Sequence, residues 1–195
     1  DRKNAIGKSW YLGETVINGI GQGYIQTTPL QLCLMTAQIA NGGYKIKPHI
    51  IRDESINYES ARLKIANQFV NETADFSNDE KFLVDRDYKL YERLYRNPEN
   101  IKFIKDAMFG STNEQYGTSY KSRYDDLKYQ YAGKTGTSQV KRITEEERKL
   151  DLDQSQIEYK NRDHALFIAF APYKNPRYSI SVLVEHGGSG SSGAA

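Results

Sequence analysis

The segment HALFIAFAPYKNPRYSISVLVEH, residues 164–186, constrains the fold of this chain most. Two apolar runs, 164–172 and 178–186, flank the turn YKNPR, which is the pattern of a β-hairpin. Within the second run, ISVLV at 180–184 is nearly continuous in apolar character and predicts a central strand covered on both faces. Such a hairpin needs neighbouring strands and a covering layer, and the rest of the chain offers both.

Two helices are predicted. Thr28 can cap the first, Pro29 suits its opening position, and LQLCLMTAQIAN runs on until Gly42-Gly43. Leu30, Leu32, Leu34, Met35, Ala37 and Ile39 spread around this helix, so it is expected to be buried. The second runs from Pro98 to Phe109, with Asn97 as cap, Ile101, Ile104, Lys105 and Met108 at helical spacing, and Gly110 as its stop. YKIKPHII (44–51) alternates into a short strand, and a further strand is expected at 129–140. Residues 1–27 read as irregular, 52–96 as polar and variable, 111–127 as a polar loop, and 141–163 as a charged, solvated excursion.

Charge and cysteine content exclude several classes. Twenty-seven Lys and Arg against 25 Asp and Glu give a net charge of +2, too even for a nucleic-acid footprint. The single Cys33 excludes an internal disulfide and a multi-thiolate zinc site, and is read as a small core hydrophobe. His49, His164 and His186 are scattered, so no metal is expected, and His164 is taken as a hydrogen-bonded structural residue. No apolar run approaches the roughly 20 residues of a membrane helix, and no signal peptide opens the chain. The start without Met and the ending GGSGSSGAA, read as a linker-like tail or a cut end, suggest a piece of a longer protein. Gly187, Gly188 and Gly190 after the last strand suggest tight backbone turns near the site, with a plain linker as the alternative.

The chemistry centres on YAGKTGTSQV, residues 131–140. Gly133-Lys134-Thr135 could end a phosphate-binding loop, but the first glycine of that motif would fall on Lys128, and Gly136 stands where a helix should begin. Gly19, Gly21 and Gly23 fail the dinucleotide fingerprint because the required third glycine would be Tyr24. Both nucleotide readings fail on spacing.

Four segments, GETVINGIGQGYIQTTPLQL (13–32), GKTGTSQV (133–140), HALFIAFAPYKNP (164–176) and VLVEHGGSG (182–190), occur in order. Together they closely resemble the C-terminal part of the transpeptidase domain of class B penicillin-binding proteins, in particular the elongation-type enzymes. The resemblance implies an α/β (α+β) fold of the penicillin-binding and β-lactamase-like type, an antiparallel sheet packed with helices. Residues 1–195 would form one incomplete domain lacking the nucleophile-bearing part and the final helix. It implies a serine D,D-transpeptidase that cross-links peptidoglycan stem peptides, with no cofactor. The D-Ala-D-Ala peptide, or a β-lactam, would lie along an edge strand. Its carboxylate would bond the hydroxyls of Thr135 and Thr137, which sit two apart and share one face. Lys134 would add charge and support proton transfer, its stem leaning around the strand. Gly136 would permit close approach, and the Thr137 amide would serve the oxyanion. Lys134 and Thr137 are thus the expected catalytic positions, and Lys134, Thr135, Gly136 and Thr137 the substrate-binding ones. The whole protein would face the periplasm, anchored in the inner membrane by a segment outside this chain, beside a glycan-polymerising partner.

The family's S-x-x-K nucleophile motif and its second serine motif should precede Lys134, and neither is found. Ser138-Gln139-Val140-Lys141 follows the triplet on what should be the same strand, where positions three apart face oppositely. Ser55-Ile56-Asn57, Ser77-Asn78-Asp79 and Ser111-Thr112-Asn113 are chance matches in polar stretches. The 195 residues alone are therefore expected to be inactive. Competing readings are a non-catalytic interaction module of the same fold and a β-lactamase or β-lactam sensor; the IGQGY…TPLQL segment resembles the synthases more.

Overall fold

The computed structural model describes residues 10–48, 50, 92–140 and 156–195. Strands β1 (Ala132–Ser138), β2 (His164–Ala171) and β3 (Tyr178–Val184) form an antiparallel sheet in the order β1-β2-β3. Helices α1 (Leu12–Gly19), α2 (Pro29–Ala40), α3 (Pro98–Asn113) and the short α4 (Gly190–Gly193) complete the described elements, with 3₁₀ turns between them. The hairpin sits where the sequence places it, and β1 pairs with its first strand.

Within the described sheet, however, the central strand is β2 and not the ISVLV run of β3. In register, Ala165, Phe167 and Ala169 share one face with Gly133, Thr135 and Thr137, while Leu166, Ile168 and Phe170 share the other with Gly136, Lys134 and Ala132. Both faces of β2 are apolar. β3 borders the described sheet, with Tyr178 73% and Ile180 51% exposed, so a nearly continuous apolar run does not here mark a strand covered on both faces.

Helices α2 and α3 cover the second of those faces. Ala40 and Met108 meet Ala132 and Phe170, with Ile39, Phe109, Ile168 and Tyr173 packed around them. Burying each large side chain there contributes about 1.5–3 kcal/mol. Lys105 crosses between the helices and donates from Nζ to the Ala40 carbonyl at 3.1 Å. Burial lowers its pKa, against the opposing charge of Asp106.

The α2 cap forms as expected: Thr28 Oγ1 accepts from the Gln31 amide at 3.2 Å, and Gln31 Oε1 accepts from the Thr28 amide at 2.8 Å. The helix is not buried all round. Among its residues only Thr36 and Ala40 are buried, and Leu30 is 64% exposed, because α2 rests on the sheet by one side only among the described residues.

Three further expectations change. Helix α3 continues through Gly110 to Asn113, because partners from later in the chain satisfy its last carbonyls. Asn113 Nδ2 bridges the carbonyls of Phe109 (3.0 Å) and Tyr131 (2.8 Å), and the Ser119 amide reaches the Ser111 carbonyl at 3.0 Å. Among the described residues of the strand expected at 44–51, a single bridge forms, Tyr44 with Arg93. Residues 12–19, expected to be irregular, form α1, whose first turn is held by the Tyr11 amide donating to Glu14 Oε2 at 2.8 Å. The readings of His49, of 52–91, which include Ser55-Ile56-Asn57 and Ser77-Asn78-Asp79, and of 141–155 lie outside the described residues.

Tyr173 ties the hairpin turn to α3, its hydroxyl donating to Asp106 Oδ1 at 2.5 Å. Burial, then the bond to Asp106 and its charge, push the Tyr173 pKa up to about 12. A folded pKa raised above the unfolded value means that the stabilisation is fully present below about pH 10 and is lost as pH rises towards 12. Tyr173→Phe is expected to cost about 1 kcal/mol at pH 8, a modest amount because the pair is solvent-screened. In urea melts its deficit against wild type should shrink between pH 8 and pH 11.

Candidate functional site at the free edge of the sheet

β1 pairs with β2 on one side only, and among the described residues no strand pairs with its other edge. Lys134 is exposed there. Its Nζ bends back to donate to the Thr135 carbonyl at 2.7 Å and approaches Thr135 Oγ1 at 3.4 Å. The stem therefore leans around the strand and brings the ammonium beside the hydroxyl that alternation would place on the other face. The register puts Thr135 and Thr137 on one face, opposite Phe167 and Ala165. Thr135 Oγ1 lies 3.0 Å from Thr118 Oγ1, and Thr137 Oγ1 accepts from the Gly190 amide at 3.4 Å.

Gly136 is not crowded at its own Cβ position. A methyl there would meet Leu166 Cβ at 3.4 Å, an ordinary contact. The close approach comes from Gly190, where an added Cβ would lie 2.2 Å from the Gly136 carbonyl oxygen and 2.7 Å from that of Leu166. The glycine-rich tail is thus packed onto the sheet and not a free linker. Two histidines steer it there. His186, at φ 55°, donates its amide to His164 Nδ1 at 2.9 Å, and the Gly188 amide donates to the Asp163 carbonyl at 2.8 Å. His164 is accordingly a hydrogen-bonded structural residue, as the sequence predicts.

Beside Lys134 lies a hollow of about 740 Å³, lined by Met35 and Ile39 of α2, Phe103 and Met108 of α3, Thr118, and Ile168 of β2. An ammonium at the rim of an apolar hollow, next to two hydroxyls on an unpaired strand edge, suits an extended ligand that ends in a carboxylate.

Among the described residues, the other sequence candidates lie away from this arrangement except Ser111, which lines the hollow with its Oγ 3.3 Å from Thr118 Oγ1. Ser138 ends β1, and Ser111-Thr112-Asn113 closes α3 in a helical turn and not in a polar loop. Cys33 is half-buried against Ser179, its Sγ 3.5 Å from the carbonyl and 3.4 Å from Oγ. No group of three His, Cys, Asp or Glu among the described residues is placed to hold a metal. None of the described helices is long and apolar enough to cross a membrane. One contributor escaped the sequence reading, Gly117-Thr118-Ser119, inside a stretch read as loop; Gly190, read with Gly187 and Gly188 as either tight turns near the site or a plain linker, packs on β1. Only the glycine before two hydroxyl residues could have signalled that loop.

Residues 2–195 match the penicillin binding protein transpeptidase domain. The chain belongs to this family. As a penicillin-binding transpeptidase domain it is similar to the peptidoglycan D,D-transpeptidase MrdA of Salmonella typhimurium strain SL1344, 32% identical over 182 residues, which are 93% of this chain and 25% of that protein. MrdA of Escherichia coli K12 is 30% identical over 183 residues, again 25% of its length. Among solved structures, PBP2 of Pseudomonas aeruginosa, in complex with WCK 5153, superposes at a TM-score of 0.63 with 34% identity, covering 99% of this chain and 32% of that one. PBP2 of Helicobacter pylori, solved in its complex with MreC, gives 0.66 at 26% identity, covering 98% and 27%. This transpeptidase chain therefore spans about a quarter of the length of the relatives it matches.

Proposed function

We propose that this chain supplies the substrate-gripping wall of a peptidoglycan D,D-transpeptidase whose serine nucleophile lies in residues outside it. The observation that carries this reading is the free edge of β1, where the Lys134 ammonium stands 3.4 Å from the Thr135 hydroxyl, with the Thr137 hydroxyl on the same face as Thr135. Similarity to the MrdA enzymes supports it.

In this mechanism the stem peptide lies along β1 and extends the sheet. Its terminal carboxylate is held by the hydroxyls of Thr135 and Thr137 and by the charge of Lys134. The serine oxygen attacks the carbonyl carbon of the penultimate D-Ala, and the negative oxygen that forms is held by the Thr137 amide. Collapse breaks the C–N bond and expels the terminal D-Ala as an amine, which takes up the proton that the serine hydroxyl gave up on attack; Lys134 supports that proton movement. The amine of a second stem peptide then attacks the acyl ester, loses its proton and frees the serine. A β-lactam enters the same ledge as a mimic, and its ring opens onto the serine. By the same resemblance, the whole protein works on the periplasmic face of the inner membrane beside a glycan polymerase.

Fluorescent penicillin tests this reading. The full-length protein is expected to keep the label through boiling in detergent, while the 195-residue chain alone stays unlabelled. An unlabelled full-length protein, or a labelled 195-residue chain, would overturn it.

A further inference from the structure

Building on the reading of β1 as a carboxylate-binding strand, we propose that Thr118 is a positioning residue that fixes the Thr135 hydroxyl with its proton turned towards an anionic ligand. Thr118 lies 17 residues before Thr135, yet their hydroxyl oxygens are 3.0 Å apart. The residues on either side of Thr118 are held firmly. A Cβ on Gly117 would stand 2.2 Å from the Ser111 carbonyl oxygen and 2.6 Å from that of Gly110, so only glycine lets the loop pass so close to the end of α3. Ser119 is buried, and both its amide and its hydroxyl donate to the Ser111 carbonyl at 3.0 Å.

The hydroxyls form a series in which either oxygen of each pair can donate, and one proton order serves a ligand. Ser119 commits its proton to the Ser111 carbonyl, and the single Ser111 proton goes either to Ser119 Oγ at 3.4 Å or to Thr118 Oγ1. Ser111 Oγ lies 3.3 Å from Thr118 Oγ1, which in turn reaches Thr135 Oγ1. Lys134 Nζ, which can only donate, also points at Thr135 Oγ1 from 3.4 Å. When Ser111 donates to Thr118 and Thr118 to Thr135, both acceptor positions of Thr135 are filled, and its single proton is left for a ligand. Without the Thr118 hydroxyl, the Thr135 hydroxyl is free to rotate among its staggered positions. A carboxylate gains from the fixed proton more than a neutral ester does, because charge-assisted bonds are about twice as strong as neutral ones.

The test compares acylation of the full-length protein by benzylpenicillin and by its methyl ester. Thr118→Val is expected to lower the preference for the acid over the ester about tenfold, the size of one well-made hydrogen bond. Thr118→Ser should stay within about twofold of wild type, and Thr118→Ala provides the same comparison should the valine variant misfold. Unchanged preference in both hydroxyl-free variants, or an equal loss in Thr118→Ser, would overturn the role of Thr118. A wild-type protein with no preference for the acid would instead remove the carboxylate-binding role of β1, and the proposal with it.

Discussion

Replacing Lys134 with alanine in the full-length protein is expected to slow acylation by benzylpenicillin about 10²–10³-fold, the range for losing a positioned charge or proton-transfer group. The melting temperature should barely move. Lys134 is exposed, its hydrogen bonds reach only the neighbouring Thr135, and no carboxylate pairs with it among the described residues. Surface substitutions of that kind usually stay within about 0.5 kcal/mol. A large kinetic loss without a stability loss is what separates a ligand-facing cation from a structural one. Lys134→Arg should recover only part of the rate, since a planar guanidinium cannot bend back onto Thr135 as a compact ammonium does. A Lys134→Ala variant acylated within threefold of wild type, or one that melts many degrees lower, would contradict this role.

The second large effect is on stability and reverses what the motif alone suggests. Gly136 belongs to the K-T-G triplet, yet Gly136→Ala is expected to change the melting temperature by no more than about 2 °C. Its Cβ would meet only Leu166, at 3.4 Å, and its φ lies outside the left-handed region. Gly190→Ala, in the tail, places a methyl 2.2 Å from the Gly136 carbonyl oxygen, 2.7 Å from the Leu166 carbonyl oxygen and 2.9 Å from the Gly136 nitrogen. All three are backbone atoms of paired strands and cannot move aside singly. The expected cost is about 3 kcal/mol, the upper end of ordinary overpacking. That corresponds to a fall of roughly 6–12 °C for a domain of this size. Thermal melts of the two variants side by side decide it; equal melting temperatures would mean that α4 does not pack on β1 and β2 in solution.

The sheet was legible because its strands carry their own signals. HALFIAFA and YSISVLV flank a turn containing Asn175 and Pro176, and K-T-G-T alternates as a strand must. Which strand is central was not legible: both are rich in apolar residues, and only the register shows Ala165, Phe167 and Ala169 on one face of β2 and Leu166, Ile168 and Phe170 on the other. The start of α2 was readable from Thr28-Pro29 and Gln31, a local capping device. The end of α3 was not, because Gly110 is a local stop signal overridden by long-range partners: the Tyr131 carbonyl for Asn113, and Ser119 for the Ser111 carbonyl. α1 hid behind Gly13 and Gly19, since glycine weakens a helical pattern whether or not the helix forms.

At the site, Lys134, Thr135 and Thr137 could be named from spacing and resemblance, and the structure places them together on one strand edge. Thr118 could not, because nothing in a one-dimensional pattern reports a contact 17 residues away, and the glycines at 187–190 pointed to tight turns or a linker without showing that Gly190 reaches Thr137, 53 residues back. Composition misled at the tail in particular. GGSGSSG has the make-up of a flexible linker, but small residues are also what a segment needs in order to lie against a sheet backbone.

The ledge at 134–137 can be observed directly in a crystal structure of the full-length protein after reaction with benzylpenicillin. The carboxylate of the bound drug is expected within hydrogen-bonding distance, about 2.7–3.0 Å, of the Thr135 and Thr137 hydroxyl oxygens. Its side chain should run beside the outer edge of β1. A carboxylate bound away from residues 134–137, or another segment of the protein already paired along that edge, would contradict the assignment.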